Sequence, residues 1–188
     1  MQPQSHAPGR TVLETPRLVL RELTLDDAGF FLRLVNEPSW LRFIGDRGVR
    51  DLAGSRRYLA DGPLASYARN GFGLWVVHPR RRSEPVGLSG LIRRDSLPDP
   101  DVGFAFFPSA WGRGWAVESA GAVLDHARDA LGMRRVLAIT DPGNAASIRV
   151  LRRIGMREAG THRLPGEKPT LRLYARDLQV GLLGEPLP

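Results

Sequence analysis

Hydrophobic positions along this chain recur with two different periods, which predict two kinds of secondary structure. Seven short segments alternate apolar and polar residues, and a period of two is typical of β-strands. Longer segments carry apolar residues three or four positions apart, as amphipathic helices do. The predicted strands are 17–23, 72–78, 86–93, 102–107, 135–140, 156–161 and 170–176, and the predicted helices are 25–35, 49–59, 63–70, 114–131 and 144–154. Strands interleaved with helices predict one mixed α/β domain.

Breaks in the pattern predict where these elements end. Thr24, with Asp27 three residues later, resembles a capping box that opens the first helix. Asn36-Glu37-Pro38 is expected to stop that helix, and a loop is expected to follow it. Gly62-Pro63 is expected to break the second helix and begin a short third one. We expect residues 1–15 to form a flexible arm, residues 16–178 the domain, and residues 179–188 a flexible tail.

The most informative segment runs from the strand 102–107 through a glycine-containing turn into the helix 114–131. A strand, a turn and a helix start in this order leave the first helical N–H groups unpaired and convergent, at the positive end of the helix dipole. Such a site suits an anion, most often a phosphate. Gly112 and Gly114 would relax the turn, and Arg113 could add positive charge.

Two well-known phosphate-binding motifs do not match this turn. The segment lacks the third small residue of the dinucleotide-binding fingerprint, and no Gly-Lys-Ser/Thr follows for a P-loop. An ordinary surface turn that caps a helix remains the alternative on these residues alone.

The motifs together resemble the Gcn5-related N-acetyltransferase (GNAT) superfamily. Gly114 and Ala116 fill the last two positions of its phosphate loop, while Trp111 replaces the usual Gln or Arg. That replacement is typical of the ribosomal-protein N-terminal acetyltransferases, as is the run from Trp111 to Glu118. The same branch shows an Asn-x-x-Ser, here Asn144 and Ser147. The opening sequence Thr-Pro-Arg-Leu-Val-Leu-Arg, residues 15–21, also resembles this branch.

The resemblance implies a fold, a cosubstrate and a reaction. The fold would be a mixed, mostly antiparallel sheet of about seven strands, splayed at the cofactor site and flanked by about four helices. The cosubstrate would be acetyl-CoA, whose pantetheine arm pairs with strand backbone between 102–107 and 135–140. Small residues at Gly103 and Ala105 suit that approach, although sheet packing explains them equally well. The implied cofactor-binding residues are Phe104, Phe106, Trp111, Gly112, Arg113, Gly114, Trp115, Ala116, Asn144 and Ser147.

The resemblance also implies candidates for the chemistry. Asp101, at the start of the strand that enters the loop, is the candidate general base, with an ordinary turn aspartate as the alternative. Glu167 is a second candidate for the base. Ser147 is the candidate acid near the cofactor sulfur. The family's usual tyrosine position is Leu151 here, so a tyrosine acid would require Tyr174 to reach the site from elsewhere.

The acceptor is expected to be a primary amine. Trp40, Phe43 and Ile44 match the region that shapes the acceptor pocket in this superfamily, and core residues would look identical. An α-amino group, with a pKa near 8, is about a tenth free base at pH 7, whereas a lysine near 10.4 is below about 0.1%. A site without a strong base therefore suits an α-amine, either a protein N-terminus or a small amine.

Composition narrows the remaining classes. The chain has 188 residues, no cysteine and a net charge of +7. No stretch is long and apolar enough for a membrane span, and no signal pattern opens the chain, so a cytoplasmic enzyme is expected. Its four histidines show no metal-ligand spacing, and no metal is expected. The expected assembly is a monomer or a homodimer.

One basic cluster, Arg80-Arg81-Arg82, stands out between two predicted strands. A solvated hairpin tip is the favoured interpretation, and nucleic-acid contact is unlikely because no aromatic residues interleave with these arginines. A catalytically inactive, ribosome-associated module and an antibiotic or amino-acid acetyltransferase remain the alternative functions.

Overall fold

A single open sheet forms the centre of the protein. The computed structural model describes residues 9–82, 84–166 and 170–179. Its strands are β1 (Thr11–Glu14), β2 (Leu18–Glu22), β3 (Leu74–Pro79), β4 (Gly87–Ile92), β5 (Asp101–Phe106), β6 (Arg135–Thr140), β7 (Arg157–His162) and β8 (Leu171–Asp177). The strand order among the described residues is β1-β2-β3-β4-β5-β6-β8-β7, and only the β5–β6 pair is parallel. The predicted mixed, mostly antiparallel α/β fold is confirmed, with eight strands where about seven were expected.

Helices cover both faces of this sheet. They are α1 (Ala28–Val35), α2 (Pro38–Phe43), α3 (Leu52–Leu59), α4 (Ala65–Asn70), α5 (Trp115–Asp129) and α6 (Ala145–Arg153). One apolar cluster joins α5 and α6 to the sheet, with Leu124 and Leu151 at its centre. A second cluster joins α1 and α3 to the other face, around Phe31 and Leu59. Because side chains alternate along a strand, β3 and β4 supply residues to both clusters, for example Val77 to the first and Val76 to the second.

The first helical segment begins where the sequence predicted it. A short 3₁₀ turn, Leu25–Asp27, precedes α1, and the capping box of Thr24 and Asp27 is present. The backbone N–H of Thr24 donates to the Asp27 carboxylate at 2.8 Å. Arg21 also binds this carboxylate, at 2.7 Å, so the cap is tied to strand β2.

The predicted loop after Asn36 is wrong over residues 38–43. Pro38, expected to stop a helix, occupies the first turn of α2 instead. Proline is well suited to that position because its missing N–H would have no helical partner there. The same residue therefore ends one helix and begins the next.

The predicted break at Gly62-Pro63 is also wrong. A π-helical turn, Ala60–Leu64, contains Pro63 and joins α3 to α4 without interruption. The wider turn accommodates Pro63, which has no backbone N–H to donate. The chain bends at this point, and the turn reaches the cleft described below.

The predicted arm holds a strand that the sequence pattern did not indicate. Thr11–Glu14 pairs with β2 in antiparallel register, and the pairing is irregular between Thr11 and Leu13. This edge strand is only four residues long and half-exposed, so its alternation is too weak to detect. Residues 1–8 and 180–188 lie outside the described residues.

Strands β5 and β6 touch at one end only. Their single bridge among the described residues pairs Asp101 with Leu137, and the Leu137 N–H donates to the Pro100 carbonyl at 2.9 Å. Beyond that point each strand remains fully paired on its other side, β5 with β4 and β6 with β8. The two strands therefore diverge toward their carboxyl ends, as the predicted splay requires.

Tyr67 supports the sheet where β2 and β3 begin to separate. Its hydroxyl accepts from the Leu23 N–H at 3.0 Å and donates to the Leu74 carbonyl.

We expect Tyr67→Phe to lower the free energy of unfolding by about 1–3 kcal/mol, because two backbone groups lose their partner. Urea denaturation would measure this loss.

Tyr58→Phe is the matched control for this substitution. The Tyr58 ring stacks on Phe31 with centroids 5.1 Å apart, and its hydroxyl makes no hydrogen bond within the described residues. Its loss should stay below about 0.5 kcal/mol. Equal losses for the two variants would show that the hydroxyl of Tyr67 does not join the strands.

Candidate active site

A cleft of about 1340 Å³ opens where β5 and β6 diverge. One side is formed by the glycine turn and the first turns of α5 and α6, and the other side by α1, α2 and the π-helical turn. The predicted site residues that line it are Trp40, Phe43, Ile44, Asp101, Phe104, Phe106, Trp111, Gly112, Gly114, Trp115, Ala116, Asn144 and Ser147. The structure therefore gathers nearly all of the predicted site residues around one cavity.

The glycine turn has the backbone that an anion site requires. Gly112 and Gly114 have φ angles of +75° and +76°, in the left-handed region that favours glycine. Gly114 is the N-cap of α5, and the Glu118 N–H is bonded to its carbonyl at 3.0 Å. The amides between Gly114 and Glu118 have no helical acceptor, because the helix starts there. Gly114 and the three residues that follow it all line the cleft.

The side chains of Trp111 and Arg113, both in this turn, make different contacts. The Trp111 indole N–H donates to the Phe106 carbonyl at 3.0 Å and so ties the turn to the end of β5. The Arg113 guanidinium lies 5.3 Å from the Trp115 ring centroid and does not line the cleft. Its Nε also donates to the Ser109 carbonyl at 3.5 Å, so the expected contact of Arg113 with a phosphate stays a prediction.

Asp101 is buried at the closed end of the splay. Only 2% of the residue is exposed, and its carboxylate accepts from Arg94 Nε at 2.9 Å. Burial raises the pKa of Asp101, while Arg94 and, more weakly, His162 act to lower it. A carboxylate with a raised pKa is a stronger base than one in water. Arg94 follows β4, and sequence reasoning missed it because nothing local pairs it with Asp101.

Asn144 and Ser147 meet at the start of α6. The Asn144 side-chain oxygen accepts from the Ser147 N–H at 3.0 Å, which is an N-cap contact. The half-buried Ser147 therefore has a fixed backbone position at the edge of the cleft. Its hydroxyl takes no part in that contact and remains available to a ligand.

Tyr174 does not reach the cleft. It lies on β8 opposite Ala138 and is 1% exposed in the core beside α5 and α6. Its hydroxyl is buried without a partner among the described residues. The structure thus does not bring a tyrosine acid to the site by this route. Glu167, the second candidate base, lies outside the described residues.

Aromatic residues form the side of the cleft near α1 and α2. Trp40 is buried and meets Phe31 edge-to-face, with ring centroids 6.3 Å apart. The Arg42 guanidinium lies over the Phe43 ring, with its central carbon 4.9 Å from the ring centroid. Tyr58, on α3, and Asp61, in the π-helical turn, also line this side. Asp61 was missed because the π-helical turn had no sequence signal.

The family comparison shows what kind of protein carries this cleft. A sequence model described as the acetyltransferase (GNAT) domain matches residues 17–157. The chain belongs to the GNAT acetyltransferase family. The family and the N-acetyltransferase class that the motifs predicted are confirmed.

Relatives of this GNAT protein match it over most of their length. The uncharacterized protein YkkB of Bacillus subtilis is 31% identical over 157 residues, covering 82% of this chain and 90% of YkkB. The uncharacterized N-acetyltransferase YoaA of the same species is 25% identical, with coverages of 81% and 86%. RimL, a ribosomal L7/L12 α-N-protein acetyltransferase solved in complex with coenzyme A, shares the fold. It has a TM-score of 0.78 and 18% identity, and the match covers 92% of this chain and 100% of RimL.

Two further properties of the GNAT domain concern membranes and metal ions. No helix in the described part of the chain is both long and apolar enough to cross a membrane. The same residues contain no group of three or more histidine, aspartate or glutamate side chains that could hold a metal ion.

Proposed function

We propose that this protein is a cytoplasmic, acetyl-CoA-dependent N-acetyltransferase that acts on a primary amine. The observation that carries the proposal is the opening of one cleft onto both the glycine turn and the splayed strands. The turn offers backbone N–H groups to a diphosphate. The diverging edges of β5 and β6 offer unpaired backbone groups to an extended amide-containing chain. Coenzyme A has both chemical parts.

The residues in the cleft divide the work of acyl transfer between them. The amine nitrogen forms a bond to the acetyl carbon, the carbon–sulfur bond breaks, and the amine loses a proton while the sulfur gains one. Asp101 is the proposed base that accepts the amine proton, directly or through water. Ser147 is the proposed hydrogen-bond donor to the leaving sulfur. Trp40, Phe43 and Ile44 are proposed to contact the acceptor.

An α-amino group is the acceptor that we propose. Its ordinary pKa near 8 is about 2.4 units below that of lysine, so deprotonation costs roughly 3 kcal/mol less at neutral pH. Even with its raised pKa, a carboxylate is a weaker base than an amine, so Asp101 suits the amine that is easier to deprotonate. RimL, an acetyltransferase of the α-amine of ribosomal protein L7/L12 that shares this fold, supports the same choice.

The proposed function predicts release of free thiol from acetyl-CoA in the presence of an amine. A panel of short peptides, free amino acids, polyamines and aminoglycosides would identify the acceptor class. We expect peptides with free N-termini to be acetylated and N-terminally blocked peptides with an internal lysine to react poorly. Salt-sensitive RNA binding without any thiol release would support an inactive ribosome-associated module instead.

Gly114→Ala tests the anion site within this proposal. An alanine there must adopt a φ of +76°, so the turn will shift away from the conformation that aims its amides. We expect the Kd of coenzyme A, measured by calorimetry, to rise about tenfold or more.

Gly132→Ala supplies the control for backbone strain. Gly132 also has a positive φ, +62°, but it follows the far end of α5, away from the cleft. Its alanine variant should lose comparable stability and keep the wild-type Kd. If both variants bind coenzyme A like the wild type, the turn is not the anion site.

Asp101→Asn tests the proposed base. We expect kcat to fall by about 10²–10⁴-fold with little change in the KM for acetyl-CoA. Asp95→Asn is the control, because Asp95 is exposed in the same β4–β5 connection. A variant that retains kcat would remove Asp101 from the mechanism.

The pH profile provides an independent test of Asp101. A base works only when ionised, so the rate should fall as the pH drops through the pKa of Asp101. Arg94 acts to lower that pKa, and therefore Arg94→Met should move the acidic limb of kcat/KM to higher pH. No movement would mean that another group controls this limb.

A further inference from the structure

Two sequence motifs that the proposed chemistry leaves without a role meet in the structure. The segment Thr15-Pro16-Arg17 joins β1 to β2, and Glu118 lies in the first turn of α5. The Thr15 hydroxyl donates to Glu118 Oε1 at 2.6 Å, and the Arg17 backbone N–H donates to the same oxygen at 3.1 Å. Arg17 Nε donates to Glu118 Oε2 at 2.5 Å. Both carboxylate oxygens of Glu118 are therefore engaged by one short segment.

Arg17 also touches the glycine turn directly. Its Nη1 donates to the Arg113 carbonyl at 3.0 Å, between the two glycines. Its Nη2 lies 3.3 Å from the position that a Cβ on Gly114 would occupy. One guanidinium thus bridges the carboxylate on α5 and the backbone of the turn, which its fixed fork of donors allows.

The segment that presents Arg17 is itself held in place. The Leu18 N–H donates to the Thr15 hydroxyl at 2.9 Å, and the Thr15 carbonyl accepts from Arg80 Nε at 2.7 Å. The Arg80 N–H donates to the Arg17 carbonyl at 2.9 Å. Arg80, expected to be part of a solvated hairpin tip, therefore supports this contact from the sheet edge.

Charge gives this contact a second consequence. Glu118 lies one helical turn, about 5.4 Å along the axis, from the amides that open α5. A carboxylate at that position would repel a diphosphate unless a cation neutralised it. Arg17 supplies this cation. Partial burial acts to raise the pKa of Glu118, but the hydrogen bonds from Thr15 and Arg17 act to lower it, and the pKa is lowered overall.

We propose that Arg17 and Glu118 are positioning residues that hold the glycine turn in the shape that binds the diphosphate of the thioester cosubstrate. The inference rests on the proposed function, because it names what sets the geometry of the same site. Thr15 completes the clamp by fixing Oε1 of Glu118.

The variants Arg17→Ala and Glu118→Ala test the clamp. We expect each to raise the Kd of coenzyme A and the KM for acetyl-CoA about tenfold or more, since charge-assisted hydrogen bonds to the turn are lost. The kcat and the KM for the amine should stay within about twofold. Glu118→Gln keeps one acceptor oxygen for Thr15 but turns an amide N–H toward the Arg17 guanidinium, so its Kd should lie between those of the wild type and Glu118→Ala. If Arg17→Ala fails to fold, Arg17→Lys replaces it, because lysine cannot span both acceptors.

Arg128→Ala is the control for net charge and for an ion pair on α5. Arg128 pairs with Asp125 and Asp129 at the opposite end of the helix, so its loss should leave the Kd unchanged. If the folded Arg17 and Glu118 variants bind coenzyme A as the wild type does, or lose kcat without a change in Kd, the clamp does not position the turn. A wild-type protein that binds no coenzyme A would instead overturn the proposed function.

Discussion

The cleft exists because the sheet is held together at one point between β5 and β6. Each strand is fully paired on its outer side, and Asp101–Leu137 is the bridge that joins them in the described residues. Helices α5 and α6 pack on one face of the sheet beside this gap. Backbone groups along the gap need partners. An extended ligand that inserts between the strands would complete the sheet, and we propose that it ends near Asp101, which lies at the bridge.

Local patterns were sufficient for most of the fold. Strands β2 to β8 and helices α1 and α3 to α6 were predicted because alternation and helical spacing depend on neighbours in sequence. The errors occur where the outcome depends on distant partners or on unusual turns. The strand Thr11–Glu14 exists because β2 offers it an edge, and Pro38 and Pro63 were interpreted as breaks although one begins a helix and the other sits in a π-helical turn.

The site shows the same division. The glycine turn and the Asn144 cap could be predicted because backbone conformation and capping are local properties. Arg94 beside Asp101 and Arg17 beside Glu118 could not, since only the folded sheet brings each pair together. The contact of the Arg113 guanidinium with the Trp115 ring also depends on the folded turn, and the sequence pattern gave no sign of it.

Several arginines of this chain, whose net charge is +7, have a structural use. Arginine carries several donors in a rigid fork, so a single side chain can bind a carboxylate and a carbonyl together. Arg17 and Arg80 both do this around Thr15. Arg21 does the same between Asp27 and the Glu22 carbonyl. Arg17 and Arg80 in this way connect segments that are remote in sequence, because Arg17 reaches α5 and its glycine turn from the β1–β2 connection and Arg80 reaches that connection from the end of β3. Arg21 acts over a shorter distance and ties the start of the first helical segment to the end of β2.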